Sequence, residues 1–347
     1  MNNLNSIDTT MPVEAADSPI WEHLTKRGKI NVKHNSSSSR DGNKHSLHIY
    51  YEIFGTGPVR VVFINGMGAD RQMWEPNVGE LLKRERYQCL VYDHRGTGFS
   101  DHNISPLSAT STNLAGDLQQ LLQALGWDKV NIIGASMGGM IAMEFASQFP
   151  KMVNTLTLAV TNAGLSPPPL RGILDTISAN FTSDPLKRFE SICGSIYTQD
   201  YLQSSAPEAS GCKNMLEFCA KNALRRSKYT KPMSFSGFMG QVGIVFRHHV
   251  SPARLAALGH AMPGKRILIV TGDEDHLVRT SNSMYLADKI GREHVILEIF
   301  EGAGHGLNSQ ESAKFIDSVD SMISAATNAS ENMSGDNINK QDDVEPK

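Results

Sequence analysis

Two hydrophobic periods alternate along the chain. Short apolar, β-branched runs occupy 59–64 (VRVVFI), 87–92 (YQCLVY), 130–133, 153–160, 266–271 (RILIVT) and 295–300 (VILEIF). Runs of that length and make-up predict strands buried on both faces. Residues 47–54 are also β-rich and stop at Gly55-Thr56-Gly57-Pro58, a turn signal. Between strands the period changes. Leu114, Leu118, Leu121, Leu122 and Leu125 share one helical face, which predicts a helix over 112–125. Helical segments are also predicted at 140–149 (closed by Pro150), 281–290 and 309–325. Strands alternating with helices predict an α/β fold with a mostly parallel central sheet covered on both faces.

The alternation fails at 164–252. That region carries Pro167-Pro168-Pro169, several helix-like stretches, and ten Lys/Arg against six Asp/Glu. It reads as a helical insertion between two sheet strands. Its basic cluster, Lys221, Arg225, Arg226, Lys228 and Lys231, suits a solvated face better than a site for an acidic partner. The ends differ again. Residues 1–45, with Ser36 to Ser39, read as a loose lead-in, with order beginning near Leu47. Residues 326–347 hold five acids and two lysines among Asn and Ser, and read as a disordered acidic tail. One catalytic domain over 46–325 is the expected organisation.

Composition narrows the class. The 347 residues are 40% hydrophobic and 20% charged, with a formal net charge of −3. The tail alone gives 2 − 5 = −3, so the body is formally neutral. Such a body offers no general field for nucleic acid. Cys89, Cys193, Cys212 and Cys219 form no C-x-x-C pair, so no disulfide scaffold is expected. The first twenty residues lack a basic start and an apolar run, and no stretch reaches about 18 apolar residues. A cytoplasmic protein with no membrane span is the expectation. His248-His249 and His45-x-x-His48 lack the H-E-x-x-H context, and no G-x-G-x-x-G is present, so neither metal nor cofactor is implied.

The strongest chemical signal is Gly134-Ala135-Ser136-Met137-Gly138. It follows a predicted strand and opens a helix. A serine at that turn is lifted above the sheet edge, and its neighbours two away must be small. Ser136 is the candidate nucleophile. A serine hydroxyl needs a base, and the base an orienting acid, in the chain order Ser, Asp/Glu, His. The loop after 266–271 holds Asp273, Glu274 and Asp275, with His276 as a solvated neighbour. The loop after 295–300 holds His305 between Gly304 and Gly306. An oxyanion needs two N–H donors. Met137, following the nucleophile, and Met67, in Asn65-Gly66-Met67-Gly68, are the candidates.

These stretches together resemble the α/β-hydrolase family, in its esterase, lactonase and C–C hydrolase branches. Phe63 to Gly68 followed by Met73-Trp74 resembles the oxyanion loop. Asp93-His94-Arg95-Gly96-Thr97-Gly98-Phe99-Ser100 resembles the family's D-x-R-G-x-G-x-S loop, whose Asp and Arg are expected to fix turns. Gly134 to Met140 resembles the nucleophile elbow of enol-lactonase-like and methylesterase-like members. Gly272-x-x-Asp275-x-x-Val278 resembles the acid loop, and Gly304-His305 the base loop. The family spacing implies Asp275 as the acid, with Asp273 the alternative. Asn65-Gly66 departs from the usual His-Gly. Ser136 argues against the epoxide hydrolase and dehalogenase branches, which place Asp there.

The resemblance implies that 164–252 caps the site. Met215, Phe218, Met233, Phe235, Phe238 and Met239 are candidates to line an apolar pocket there, although Met and Phe serve ordinary helix packing equally well. The expected function is hydrolysis of a small carboxylic ester or lactone through an acyl-enzyme on Ser136, Asp275 and His305. Cleavage of a C–C bond by the same triad is one alternative. A non-catalytic small-molecule receptor on the same fold is the other.

Overall fold

A computed structural model describes residues 18–33, 46–102, 105–166 and 185–339. The strands are β1 (Leu24–Lys33), β2 (Ser46–Phe54), β3 (Val59–Ile64), β4 (Tyr87–Tyr92), β5 (Val130–Ala135), β6 (Val153–Ala159), β7 (Ile267–Gly272) and β8 (Val295–Phe300). They form one sheet in the order β1-β2-β4-β3-β5-β6-β7-β8. From β4 to β8 every pairing is parallel, while β1 and β2 add an antiparallel edge.

The period of two along each inner strand supplies two separate cores. In β3, Val62 and Ile64 face one side, packed with Leu114, Leu118 and Leu121 of helix Ser111–Leu125 and with Ile141 and Leu255. Val61 and Phe63 face the other side, with Trp74, Val78, Phe315 and Val319. Both faces are therefore covered, and the strands read as continuous apolar runs because neither face meets water. Thr110 caps helix Ser111–Leu125 by accepting the Asn113 N–H, and Gly126 ends it in the left-handed region at φ 69°.

The expected lead-in requires correction. Residues 24–33 form β1, paired with β2 from Leu24↔Phe54 to Lys33↔Ser46. Only Val32 of this strand is buried, and Lys26, Arg27 and Lys29 flank the rest, so an edge strand wet on both faces shows no apolar period. Residues 1–17 and 34–45 lie outside the described residues. The tail expectation is corrected too. Helix Ser312–Asn339 runs past residue 325, although Ala326 is its last described buried side chain. A helix already nucleated on the core extends at one hydrogen bond per residue, without the nucleation cost that a free tail would face. Residues 340–347 lie outside the description.

Between β6 and β7 come helices Pro185–Ile196, Gln199–Gln203, Met215–Ser227 and Phe235–Arg247. The chain leaves and re-enters at one point, where Gly164 bridges His249 and the Val250 N–H donates to Ala163 O. Pro167-Pro168-Pro169 fall outside the described residues. The basic cluster is not uniformly solvated. Lys221, Lys228 and Lys231 are exposed, but Arg225 and Arg226 turn inward to Glu75 at the start of helix Glu75–Leu82. Buried Glu75 is the reason, since a carboxylate taken from water needs paired donors.

Candidate active site

Ser136 stands between β5 and helix Met137–Gln148 at φ 56° and ψ −121°, a strained turn for a residue with a side chain. Three contacts hold it. Its N–H donates to Ala159 O at 2.9 Å, its carbonyl accepts the Gly139 N–H at 2.9 Å, and Thr161 Oγ1 donates to the same carbonyl at 2.7 Å. The two glycines of the motif are there for space. A Cβ on Gly138 would lie 2.0 Å from Ile64 O, and one on Gly134 would lie 2.4 Å from Gly138 O. The helix thus starts hard against β3. Met137 opens that helix, so its N–H has no intrahelical acceptor.

The oxyanion-loop candidate lies directly alongside. A Cβ on Gly66 would be 3.5 Å from Ser136 Cβ. Asn65 is fully buried and anchors the loop's start: its Nδ2 donates to Tyr92 O at 2.7 Å, and its carbonyl lies 3.1 Å from His94 Nε2. A carbonyl only accepts, so Nε2 carries the proton of His94. Burial pushes the His94 imidazole down to about 4, keeping it neutral. Met67 follows, 43% exposed, then Gly68 at φ 79°.

The acid and base loops meet at the same sheet edge. β5, β6, β7 and β8 are in level register, with Ala135 opposite Ala159, Ala159 opposite Val270, and Gly272 opposite Phe300. The His305 loop then folds back across β7. A Cβ on Gly272 would lie 1.9 Å from Ala303 O, so only glycine lets the 303–304 backbone cross there. That crossing carries the His305 loop from β8 over the end of β7, to the loop that holds Asp275. His305 Nδ1 sits 2.8 Å from Asp275 Oδ2, and Asp275 Oδ1 accepts the Leu277 and Val278 N–H groups at 2.8 Å each. The Asp275 side chain is fully buried and that of His305 is 11% exposed. The carboxylate fixes the proton on Nδ1 and leaves the Nε2 lone pair free to act as a base. Asp273 is turned elsewhere: it is exposed and accepts the Gly302 N–H at 2.8 Å. Glu274 is exposed and His276 half-buried.

The Asp93–Ser100 loop braces this region. Asp93 accepts the Arg71 N–H at 3.0 Å and the Phe99 N–H at 2.9 Å, with the Arg71 guanidinium at 3.1 Å. Burial raises its carboxyl to about 6 against those donors. Arg95 Nε donates to Asp117 Oδ2 at 2.7 Å.

The cap candidates separate by position. Helix Phe235–Arg247 buries Gly237, Gly240, Gln241 and Ile244 against the core, leaving Phe235 81% exposed and Phe238 and Met239 each 40% exposed. Met215, Phe218 and Met233 are half-buried. Gln241, His94 and Thr161 were not singled out from the sequence. The one legible hint was Gln241, a lone amide on the face made by Gly237, Gly240 and Ile244.

Comparison with known proteins gives four results. A family model described as the alpha/beta hydrolase fold matches residues 59–312. The protein named "Putative carbamate hydrolase RutD" of Azorhizobium caulinodans is 37% identical over 110 residues, which is 32% of this chain and 40% of that one. The chain therefore spans about two fifths of that relative's length. A 2-hydroxy-6-oxononadienedioate/2-hydroxy-6-oxononatrienedioate hydrolase of Paraburkholderia xenovorans is 27% identical over 281 residues, covering 78% of this chain and 88% of the relative. Among solved structures, the enol-lactonase from Burkholderia xenovorans LB400 superposes with a TM-score of 0.61 at 21% identity, covering 80% of this chain and 97% of that one. That last likeness is one of fold.

Proposed function

The chain belongs to the α/β-hydrolase fold family, and from that premise we propose that it is a serine hydrolase cleaving a small carboxylic ester or lactone in the cytoplasm. The observation that carries the reading is the buried Asp275–His305 pair at 2.8 Å, at the sheet edge where Ser136 stands in its strained turn. In this mechanism His305 Nε2 takes the Ser136 hydroxyl proton as Oγ attacks the carbonyl carbon. Asp275 holds the imidazolium that forms. The Met67 and Met137 N–H groups receive the oxyanion. The tetrahedral intermediate expels the alkoxide, which takes the proton from His305, and the acyl group remains on Ser136. Water then attacks with the same proton route reversed, releasing the acid and the free serine.

Hydrolysis of p-nitrophenyl esters tests this. Ser136→Ala is expected to lower turnover by on the order of 10⁴-fold or more without altering the melting temperature. Unchanged turnover would overturn the reading. A fluorophosphonate probe should label the wild type and not the variant; an unlabelled wild type favours a receptor on this fold. The near-full-length similarity to a dienedioate hydrolase favours C–C cleavage as the second reading. RutD adds carbamates to the substrate panel. The three bond types differ in the group leaving the tetrahedral centre, so rates on matched ester, carbamate and vinylogous ketone substrates separate them.

A further inference from the structure

We infer that Gln241, from the helical insertion, is a positioning residue that sets the Met67 N–H of the oxyanion loop; this rests on the serine-hydrolase reading. Gln241 is 2% exposed. Its Oε1 accepts the Gly68 N–H at 2.8 Å, and its Nε2 donates to Thr97 Oγ1 at 3.0 Å. The amide orientation follows from its partners, because a backbone N–H only donates. Gly68 lies 173 residues away in sequence, so the bond ties the insertion to the core.

Each end of this link is firmly held. Thr97 belongs to a turn in which its own N–H donates to His94 O at 3.0 Å and the Gly96 N–H donates to Asp101 O at 2.8 Å. Helix Phe235–Arg247 sits directly on that turn, since a Cβ on Gly237 would lie 2.3 Å from Gly96 O. Ser234, the cap of that helix, donates its N–H to the same carbonyl at 3.3 Å. Gln241 therefore projects from a helix that cannot slide relative to the turn. At the other end, Met67 lies between two pins. Asn65 is fastened to Tyr92 and His94, and Gly68 to Gln241. Gly68 adopts φ 79°, a conformation that glycine leaves readily when nothing holds it. Without Gln241 the loop keeps its core pin and loses its cap pin. The Gly68 N–H then turns to water, and the Met67 N–H is no longer held toward Ser136.

The kinetic signature follows from when the bond to the oxyanion forms. It strengthens in the transition state and is weak in the ground state, so misplacing the donor lowers kcat and leaves KM nearly constant. A donor displaced by about 1 Å costs on the order of 10- to 100-fold in rate.

The test uses Gln241→Met, which keeps the packing and removes both polar atoms, and Gln241→Glu, which keeps them. Either protonation state of the glutamate satisfies both partners: one oxygen accepts from Gly68, while the other takes or gives the Thr97 hydrogen. With p-nitrophenyl acetate, Q241M is expected to lose roughly 10- to 100-fold in kcat with KM within about twofold, and Q241E to stay within about threefold of wild type. A phosphonate transition-state analogue should weaken in step with kcat/KM for Q241M, while acetate, the product, binds unchanged. Hydrogen exchange at the Gly68 amide should rise in Q241M and not in Q241E. A Q241M enzyme with wild-type kcat and a protected Gly68 amide overturns the proposal and leaves the Ser136 reading standing. A Ser136→Ala enzyme that retains turnover overturns both. Should Q241M fail to fold, a Q241E enzyme with a low kcat and a protected Gly68 amide, or with a wild-type kcat and an unprotected one, overturns the proposal.

Discussion

At Gly138 an added methyl carbon would lie 2.0 Å from Ile64 O, and at Gly272 it would lie 1.9 Å from Ala303 O. The carboxyl edge of the sheet is assembled by backbone against backbone. The helical insertion is fastened mostly by side chains. Arg225 and Arg226 grip Glu75, Arg71 Nη2 donates to Tyr229 O at 3.2 Å, Arg247 Nη2 donates to Ala109 O at 2.8 Å, and Gln241 reaches Gly68. Backbone contacts of the first kind demand glycine at fixed spacings, which a reader of the sequence can see. Contacts of the second kind join residues more than 130 positions apart through ordinary Arg, Glu and Gln, which carry no local pattern.

The two acids of the β7 loop give the largest contrast. Asp275→Asn keeps an oxygen for the Leu277 and Val278 N–H groups, so the fold is expected to stand. It withdraws the acceptor that orders His305, and kcat should fall by on the order of 10³- to 10⁴-fold. Asp273→Asn, whose carboxylate meets the Gly302 N–H and no other partner among the described residues, should change kcat less than about threefold. Steady-state kinetics on both variants check this, and equal losses would remove Asp275 from its role. This pair also marks how far the sequence carries. The loop and its three acids were visible, but the choice among them rested on family spacing, because only the folded backbone turns one carboxylate toward His305 and the other toward Gly302. The inner strands were legible since burial on both faces makes them uniformly apolar. β1 was not, since an edge strand rich in Lys and Arg resembles a solvated leader. The strand-to-helix turn at Ser136 was legible through its glycines, whereas Asn65, His94 and Gln241, which brace the loop beside it, follow no spacing rule.

One substitution applied to both regions sharpens the contrast. Gly138→Ala sets a methyl against Ile64 O, part of a sheet strand that cannot move alone, and should cost about 3 kcal/mol or more in urea unfolding. Gly240→Ala in the insertion meets Ala109 Cβ at 2.9 Å, a side-chain carbon rather than the backbone of a sheet strand. It should cost about 1 kcal/mol, offset in part by the better helix propensity of alanine. A larger loss for Gly240→Ala would mean that the insertion is held as rigidly as the sheet.

Titration separates the regions differently. Burial holds His94, in the core, and His248, where the insertion returns, down at about 4. In the unfolded chain each takes up a proton as pH falls through about 6.5, the ordinary value. Between those values the unfolded state binds more protons, so this stability is complete above about 6.5 and is lost as pH falls toward 4. Each imidazole withdraws on the order of 3 kcal/mol over that window. Asp93, raised to about 6, takes up its proton in the folded state and opposes one of them. His94→Gln retains a donor for Asn65 O and cannot be protonated. Relative to wild type, its stability should fall less steeply on acidification, by roughly 1.4 kcal/mol per pH unit between 6.5 and 4. Parallel curves from denaturant titrations at several pH values would mean that His94 is protonated in the folded protein.

The smallest effect is expected where the insertion grips the core by charge. Glu75 is 7% exposed, and its oxygens receive Arg225 Nη1 at 2.9 Å and Arg226 Nε at 3.0 Å. Burial alone would raise its carboxyl, but Arg225 and Arg226 hold it below the ordinary range. Its stabilisation is therefore present at neutral pH and is lost only as pH falls below the carboxylate range. Glu75→Gln keeps the shape and one acceptor while removing the charge. Arg225 and Arg226 are partly exposed, at 16% and 26% of their side chains, so water replaces much of what is lost. A cost of about 1 to 2 kcal/mol is expected, confined to the docking of helix Met215–Ser227. Hydrogen exchange should rise in that helix and leave helix Ser111–Leu125 unchanged. Because Gln241 still fastens the oxyanion loop, kcat should hold within about twofold while KM moves, the reverse of the Gln241→Met signature. If Glu75→Gln lowered kcat as Gln241→Met is expected to, the insertion would act on the oxyanion loop as one body, and the two fastenings could not be assigned separate tasks.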